Sequence, residues 1–202
     1  MELRDQTFEN EWVRLEPLEP SPELREMVRV SGIMDSIWEW MPRLSGRGTT
    51  FDTYYDDLFA KTKAGSVLPL LASRKSDGAF AGGAAYLRMS RTHRSAQIDY
   101  VWTPKHIRGS KVPLAIQAVM LKGLVEWRAK RAYWIVNIRN ERMTSFLEEK
   151  VGAKKEGEFE YYARMNDGSW STSAVYGLVG DGILKAVKRI EATLEREFAV
   201  TD

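Results

Sequence analysis

The sequence predicts a mixed α/β (α+β) fold: a mostly antiparallel central sheet flanked by helices, with one amphipathic helix appended at the C-terminus. Three observations predict it. The apolar pattern changes period along the chain in the order β-α-α-β-β-β-α-β-α-β-β-α. Two pairs of strand-like runs are joined by turns containing Asp77-Gly78 and Asp167-Gly168, the short-range signal of antiparallel hairpins. One long apolar helix lies between the runs "RSAQIDYVWT" and "AYWIVNI" and makes a single β-α-β unit.

Taken in order, "WVRLEPLEP" places Val13, Leu15 and Leu18 as a strand ended by prolines. Ser21 to Ser31 reads as a short helix, with Ser21 as N-cap and Pro22 at its first position. "IMDSIWEWMP" is apolar and aromatic and closes at Pro42, and "RLSGRGTT" is a loop. A helix from Thr53 to Lys63 follows. "SVLPLLASR" and "AFAGGAAYLRM" flank the first hairpin turn. In "RSAQIDYVWT", strict alternation puts Ala96, Ile98 and Tyr100 on one face and Gln97, Asp99 and Val101 on the other. The next helix spans Pro113 to Lys130. Leu114, Ala118, Leu121 and Val125 form its stripe, and Ile116, Met120 and Trp127 widen it enough to require cover on more than one side. "AYWIVNI" is a buried strand, and "ERMTSFLEEK" is a short helix capped by Asn140. "EGEFEYYARM" and "SWSTSAVYGLV" form the second hairpin. Ile183, Val187, Ile190, Leu194 and Phe198 then recur at spacings of three and four along a terminal helix.

Composition removes several function classes. The 202 residues carry a net charge of only +2, with the basic residues spread along the chain, so nucleic-acid binding driven by bulk charge is not expected. There is no cysteine, which excludes disulfides and thiolate chemistry, and two histidines, His93 and His106, are too few for a histidine zinc site. No stretch reads as a signal peptide or a membrane span, so a soluble cytoplasmic protein is expected.

The chemistry concentrates in "HIRGSKVPLAIQAVML". A strand that enters a short basic loop and then a helix presents free N–H groups and the positive helix end to an anion. Arg108 and Lys111 add charge, and Gly109 allows close backbone approach. The competing reading is a solvated basic turn capping a core helix. Asn140 caps its helix and can also face the groove beside this loop. Asp99 shares a strand face with Gln97 and can accept a proton from an amine. Ser145 and Thr144 can donate one, though each also reads as a helix-surface hydroxyl. Trp102, Trp127, Trp134, Tyr161 and Tyr162 read as core. Trp38 and Trp40 read as core too, with a pocket wall as the alternative.

Over roughly Trp12 to Gly182 the chain resembles the GNAT superfamily of acyl-CoA-dependent N-acyltransferases, most closely its RimJ/RimL-like (ribosomal-protein-alanine acetyltransferase) branch. Four segments carry the resemblance. "AQIDYVWTP" resembles the central strand, and "IRGSKVPLAIQAVML" the pyrophosphate loop and helix. "NIRNERMTSFLEEKVGAKKEGEF" resembles the Asn-helix-Gly segment, and "NDGSWSTSAVYGLV" the final hairpin. The resemblance implies a GNAT-like acyltransferase domain over 1–182, with 183–202 as the appended helix and tail. It implies acetyl-CoA as cosubstrate, and a central strand that splays from its neighbour to expose the backbone of Val101 and Trp102 to the pantetheine arm. Arg108, Gly109, Ser110, Lys111 and Val112 would hold the pyrophosphate, and Asn140 the pantetheine end. The chain departs from the pattern at Lys111 and Pro113 in the loop. Gln97 stands where a Glu base is common, Met143 where a Ser is common, and the segment before Gly152 is one residue longer. Asp99 is therefore the candidate base, and either Ser145 supplies the acid or none is needed.

The implied activity is acetyl transfer to a primary amine by direct attack in a ternary complex. The acceptor is a small molecule or a protein N-terminus, and the enzyme a monomer or homodimer. The competing readings are a degenerate acyl-CoA-binding or regulatory protein, favoured by Gln97 and Met143, and an interaction module without cofactor.

Overall fold

The computed structural model describes residues 6–19, 21–22, 25–26, 40, 42–43 and 50–198. Its centre is one eight-stranded sheet: β1 (Phe8–Glu9), β2 (Val13–Pro17), β3 (Val67–Arg74), β4 (Phe80–Ser90), β5 (Ser95–Trp102), β6 (Arg131–Asn137), β7 (Lys154–Arg164) and β8 (Trp170–Val179). The spatial order is β1-β2-β3-β4-β5-β6-β8-β7. Every neighbouring pair is antiparallel except β5–β6. The helices are α1 (Phe51–Lys63), α2 (Lys111–Glu126), α3 (Glu141–Ser145) and α4 (Gly182–Phe198). The mixed fold, mostly antiparallel sheet and C-terminal helix read from the sequence are all present.

Local chemistry explains the boundaries, including those the sequence misplaced. β1 was not foreseen because it is two residues long. It forms because Asn10 turns the chain, its Oδ1 accepting from the N–H groups of Trp12 (3.0 Å) and Val13 (2.9 Å). α1 begins at Phe51 rather than Thr53. Thr50 is the N-cap, and Thr53 is its reciprocal partner in a capping box. In the β3–β4 turn Asp77 Oδ1 accepts from Ala79 N–H (3.0 Å), and Gly78 adopts φ 71°.

α2 runs from Lys111 to Glu126, not from Pro113 to Lys130. The Ser110 side chain accepts from Val112 N–H (3.2 Å) and so starts the helix two residues early. Pro113 still lies in the first turn, where its missing N–H costs nothing. At the other end Arg128 swings to φ 60° and Ala129 N–H returns to Leu124 O, which closes the helix. α3 starts at Asn140, as its Oδ1 accepts from Met143 N–H (3.2 Å). The chain then continues through a wider π-helical turn, Phe146–Val151, ended by Gly152 at φ 81°.

The core joins one face of the sheet to α2 and α4. Leu114, Ile116, Met120, Leu121 and Leu124 of α2 are buried there, with Ile183, Val187, Ile190 and Leu194 of α4. α4 therefore covers α2 of its own chain. Tyr86 hydroxyl donates to Met120 O (2.6 Å), which ties α2 to the middle of the sheet. On the opposite face α1 sets Leu58 against Val67 and Ala85.

Of the proposed helix at Ser21–Ser31, the described residues show one turn, in which Arg25 N–H donates to Ser21 O. Most of "IMDSIWEWMP", including Trp38, lies outside the described residues. Tyr161 and Tyr162, read as core, are instead 73% and 39% exposed on the edge hairpin β7–β8, because β7 has no outer neighbour and carries a register shift between Phe159 and Ala163. Among the described residues no helix is long and apolar enough to cross a membrane.

Candidate active site

The β5-α2-β6 crossover builds the site. β5 and β6 pair only through Ser95–Arg131, Ala96–Ala132 and Gln97–Tyr133, although β5 continues to Trp102 and β6 to Asn137. Beyond Gln97 the strands part, and the end of β5 has no partner on that side.

A bulge coincides with the parting. β5 advances from Asp99 to Trp102 while β4 moves only from Ala85 to Gly83, so β5 holds one extra residue. Tyr100 adopts φ 52°. The alternation read from the sequence fails here: Tyr100 packs with Leu58, Val67 and Ala85 on the α1 face, and Val101 packs against the main core instead. β4 makes room with two glycines. Gly82 has φ 128°, and a Cβ there would overlap the Trp102 carbonyl oxygen. A Cβ at Gly83 would lie 3.1 Å from the Trp102 indole.

The parted strands open into a cavity of about 630 Å³. Val101, Trp102 and Thr103 form its strand wall, and Arg108, Gly109 and Ser110 its loop wall. Leu114 and Gln117 face it from α2, and Asn140, Arg142 and Ser145 from α3. Arg108 Nε donates to Thr103 O (3.0 Å), so the loop is anchored to the strand end. Gly109 has φ 86° with open space where a Cβ would stand, so conformation rather than room requires glycine. Ser110 hydroxyl donates to Ile107 O (2.7 Å) while capping α2. The site thus joins a positive helix start, with the N–H groups that α2 cannot use internally, to a basic loop and an open strand edge.

Seven of the ten residues singled out from the sequence line this one cavity: Val101, Trp102, Arg108, Gly109, Ser110, Asn140 and Ser145. Lys111 and Val112 are not part of its wall. Val112 turns its side chain into the core (5% exposed), and its N–H goes to Ser110. Asp99 lies on the α1 face, away from the cavity wall. Its Oδ2 accepts from Gln97 Nε2 (2.7 Å) and its Oδ1 from Tyr100 N–H (2.7 Å). Burial pushes the Asp99 pKa above the ordinary carboxylate value, although Tyr100 N–H, the Gln97 amide, Arg88 and Lys61 all pull the other way. Ser145 is exposed at the cavity, while Thr144 is absent from its wall and donates to Glu141 O (3.0 Å).

The cavity residues that the sequence reading did not single out include Gln117, Arg142 and Lys150. Trp40 is a cavity wall rather than core. Gln117 did carry a signal, as the single polar side chain in the apolar run Val112–Leu121. Arg142 and Lys150 carried none, since charge on a short helix ordinarily means a solvated face.

This arrangement, an antiparallel sheet interrupted by one parallel, parted strand pair with a capped basic loop beside it, is the GNAT fold. Solved structures of that fold superimpose on nearly the whole chain. A GCN5-related N-acetyltransferase from Brucella melitensis matches with TM-score 0.79 and 18% identity, over 96% of this chain and 87% of that one. Mycobacterium smegmatis RimJ in complex with CoA-disulfide matches with TM-score 0.72 and 21% identity, over 93% of each. A spermidine N-acetyltransferase from Vibrio cholerae in complex with CoA and spermine matches with TM-score 0.67 and 16% identity, over 87% of this chain and 99% of that one. No protein-family model and no curated protein matches the sequence.

Proposed function

We propose that the protein is an acetyl-CoA-dependent N-acetyltransferase acting on a primary amine. The observation that carries this reading is the parting of β5 from β6 directly beside the Ser110-capped, basic start of α2, both opening into one cavity. The residues present suit coenzyme A. Arg108, Arg142 and Lys150 offer cations to its phosphates, the unpaired edge of β5 at Val101 and Trp102 offers backbone groups to the pantetheine arm, and Asn140 stands across from them. Acetyl-CoA supplies the activated acyl group. The GNAT neighbours with CoA in their complexes support the same reading.

The chain's own groups then divide the work. Asp99, oriented by Gln97 and Tyr100 N–H, lies outside the cavity wall on the α1 face, so it accepts the proton of an acceptor amine that approaches from that face where β5 and β6 part, and its raised pKa makes it the stronger base. Gln97 is 4% exposed and its Oε1 has no partner, which leaves a second acceptor atom beside that carboxylate. Beyond Gln97 the backbone of β5, free of β6, provides N–H groups for the developing oxyanion. Ser145 faces the cavity and can return a proton to the leaving thiolate. The acceptor is a small amine or a protein N-terminus.

Calorimetric titration with coenzyme A tests the binding half. Arg108→Glu is expected to weaken it at least about tenfold, the value of one charge-assisted phosphate contact. Equal binding by wild type and variant refutes the loop assignment. Thiol release from acetyl-CoA across an amine panel tests the chemistry. Coenzyme A binding without thiol release on any amine selects a degenerate binding protein instead.

A further inference from the structure

Gln117 sits in the wall of the cavity with 0% of its surface exposed, and neither Nε2 nor Oε1 has a hydrogen-bond partner. Leaving both ends of an amide buried and unsatisfied is costly, and such groups in folded proteins usually mark a missing partner. A side chain of this size and shape at this position would be filled more favourably by Met or Leu if packing were its whole role. The missing partner must offer both an acceptor to Nε2 and a donor to Oε1. An amide group offers both, whereas a phosphate offers only acceptors.

Position selects which part of a ligand this is. Gln117 follows the cap Ser110 by seven residues, so it stands about 10 Å further along the axis of α2, roughly two turns inward from the loop. A ligand with phosphates at Gly109 and Ser110 brings to this depth the chain that leads away from them, toward the parted ends of β5 and β6. We infer that Gln117 is a binding residue for an amide of the pantetheine arm, pairing with its carbonyl through Nε2 and with its N–H through Oε1. This inference rests on the coenzyme A reading above and names a contact within it.

The test compares two probes by calorimetry on wild type and Gln117→Met: coenzyme A, and its 3′-phosphorylated ADP portion, which lacks the pantetheine arm. Met preserves volume and removes the amide. The expected result is coenzyme A affinity lowered about three- to tenfold, with unchanged affinity for the nucleotide portion. The melting temperature of the ligand-free variant is expected to equal or exceed that of wild type, because an unsatisfied buried amide has been removed. A variant that is no less stable yet binds worse is a signature a purely structural glutamine does not give. Unchanged coenzyme A affinity in Gln117→Met overturns the inference, as does an equal loss for both probes. Wild-type protein that binds neither probe sinks the coenzyme A reading itself, an outcome distinct from the other two.

Discussion

Asp99 is held by two donors, Gln97 Nε2 and Tyr100 N–H, yet burial still lifts its pKa above the ordinary carboxylate value. The native state therefore binds this proton more tightly than the unfolded chain does. The stabilisation that results is complete below the ordinary carboxylate value and is lost as pH rises through the elevated native value. Once ionised, the buried carboxylate is an expense to the fold. Asp99→Asn is expected to lower the acetylation rate by about 10²–10⁴, the usual loss on removing a general base. Its melting temperature at pH 7 should match or exceed that of wild type, and this advantage should shrink as the pH is lowered toward 4. Full activity in Asp99→Asn would move the base elsewhere, and a large loss of stability at pH 7 would assign Asp99 to structure.

At the scale of elements, the cavity depends on how closely β4 and β5 approach at the bulge. Gly82 has both a left-handed φ and a Trp102 carbonyl where its Cβ would be. Gly78, in the β3–β4 turn, has a similarly positive φ of 71° but nothing within 4 Å of a Cβ. The two positions separate backbone strain from steric overlap. Gly78→Ala is expected to cost about 1 kcal/mol from strain alone. Gly82→Ala must also push β5 outward, and a loss of at least about 2–3 kcal/mol is expected. For a domain of this size that corresponds to a melting temperature lower by about 4–12 °C. Calorimetric scans of the two variants check this, and equal losses would mean that the Gly82–Trp102 approach is not tight. The same scale explains α3, where the Asn140-capped turn passes into a π-helical turn that Gly152 ends. Asn140 and Ser145 both precede that turn and line the cavity.

For the whole molecule, α4 matters because α2 is apolar on two sides. The sheet covers one side of α2, and Ile183, Ala186, Val187, Ile190 and Leu194 of α4 join the same core on the other. The four larger side chains contribute about 1.5–3 kcal/mol each on burial. Their sum of roughly 6–12 kcal/mol approaches the entire net stability of an ordinary domain. Ending the chain after Asp181 is therefore expected to abolish cooperative unfolding near room temperature, not merely to shift it. Circular dichroism with thermal denaturation checks this. A truncated protein that still melts cooperatively within about 10 °C of the full chain would show that α4 adds little. Because α2 carries Gln117 and starts at the loop that faces the cavity, truncation should also abolish coenzyme A binding.

The sequence alone determined the longer elements of the sheet and its helices and their order, though not the two-residue β1, since each is fixed by interactions within a few residues. Hydrophobic period set the strands and helices, Asp77-Gly78 and Asp167-Gly168 set the hairpins, and Asn140 set a helix start, while the caps Thr50 and Ser110 start their helices two residues earlier than hydrophobic period indicates. The basic loop was legible for the same reason, as its chemistry is contiguous. Only the tertiary structure decided the rest. Tyr100 changes face because β5 holds one residue more than β4 across the bulge, a mismatch between two strands that neither strand encodes alone. Trp40 reaches the cavity from far along the chain, and Arg142 and Lys150 reach it from the turns of a helix whose orientation depends on its packing. Gln117 was visible as a polar break in an apolar run, but whether its amide had a partner depended on everything packed around it. Local bonds fix what a segment is; long-range packing fixes which of its side chains are left facing an empty space.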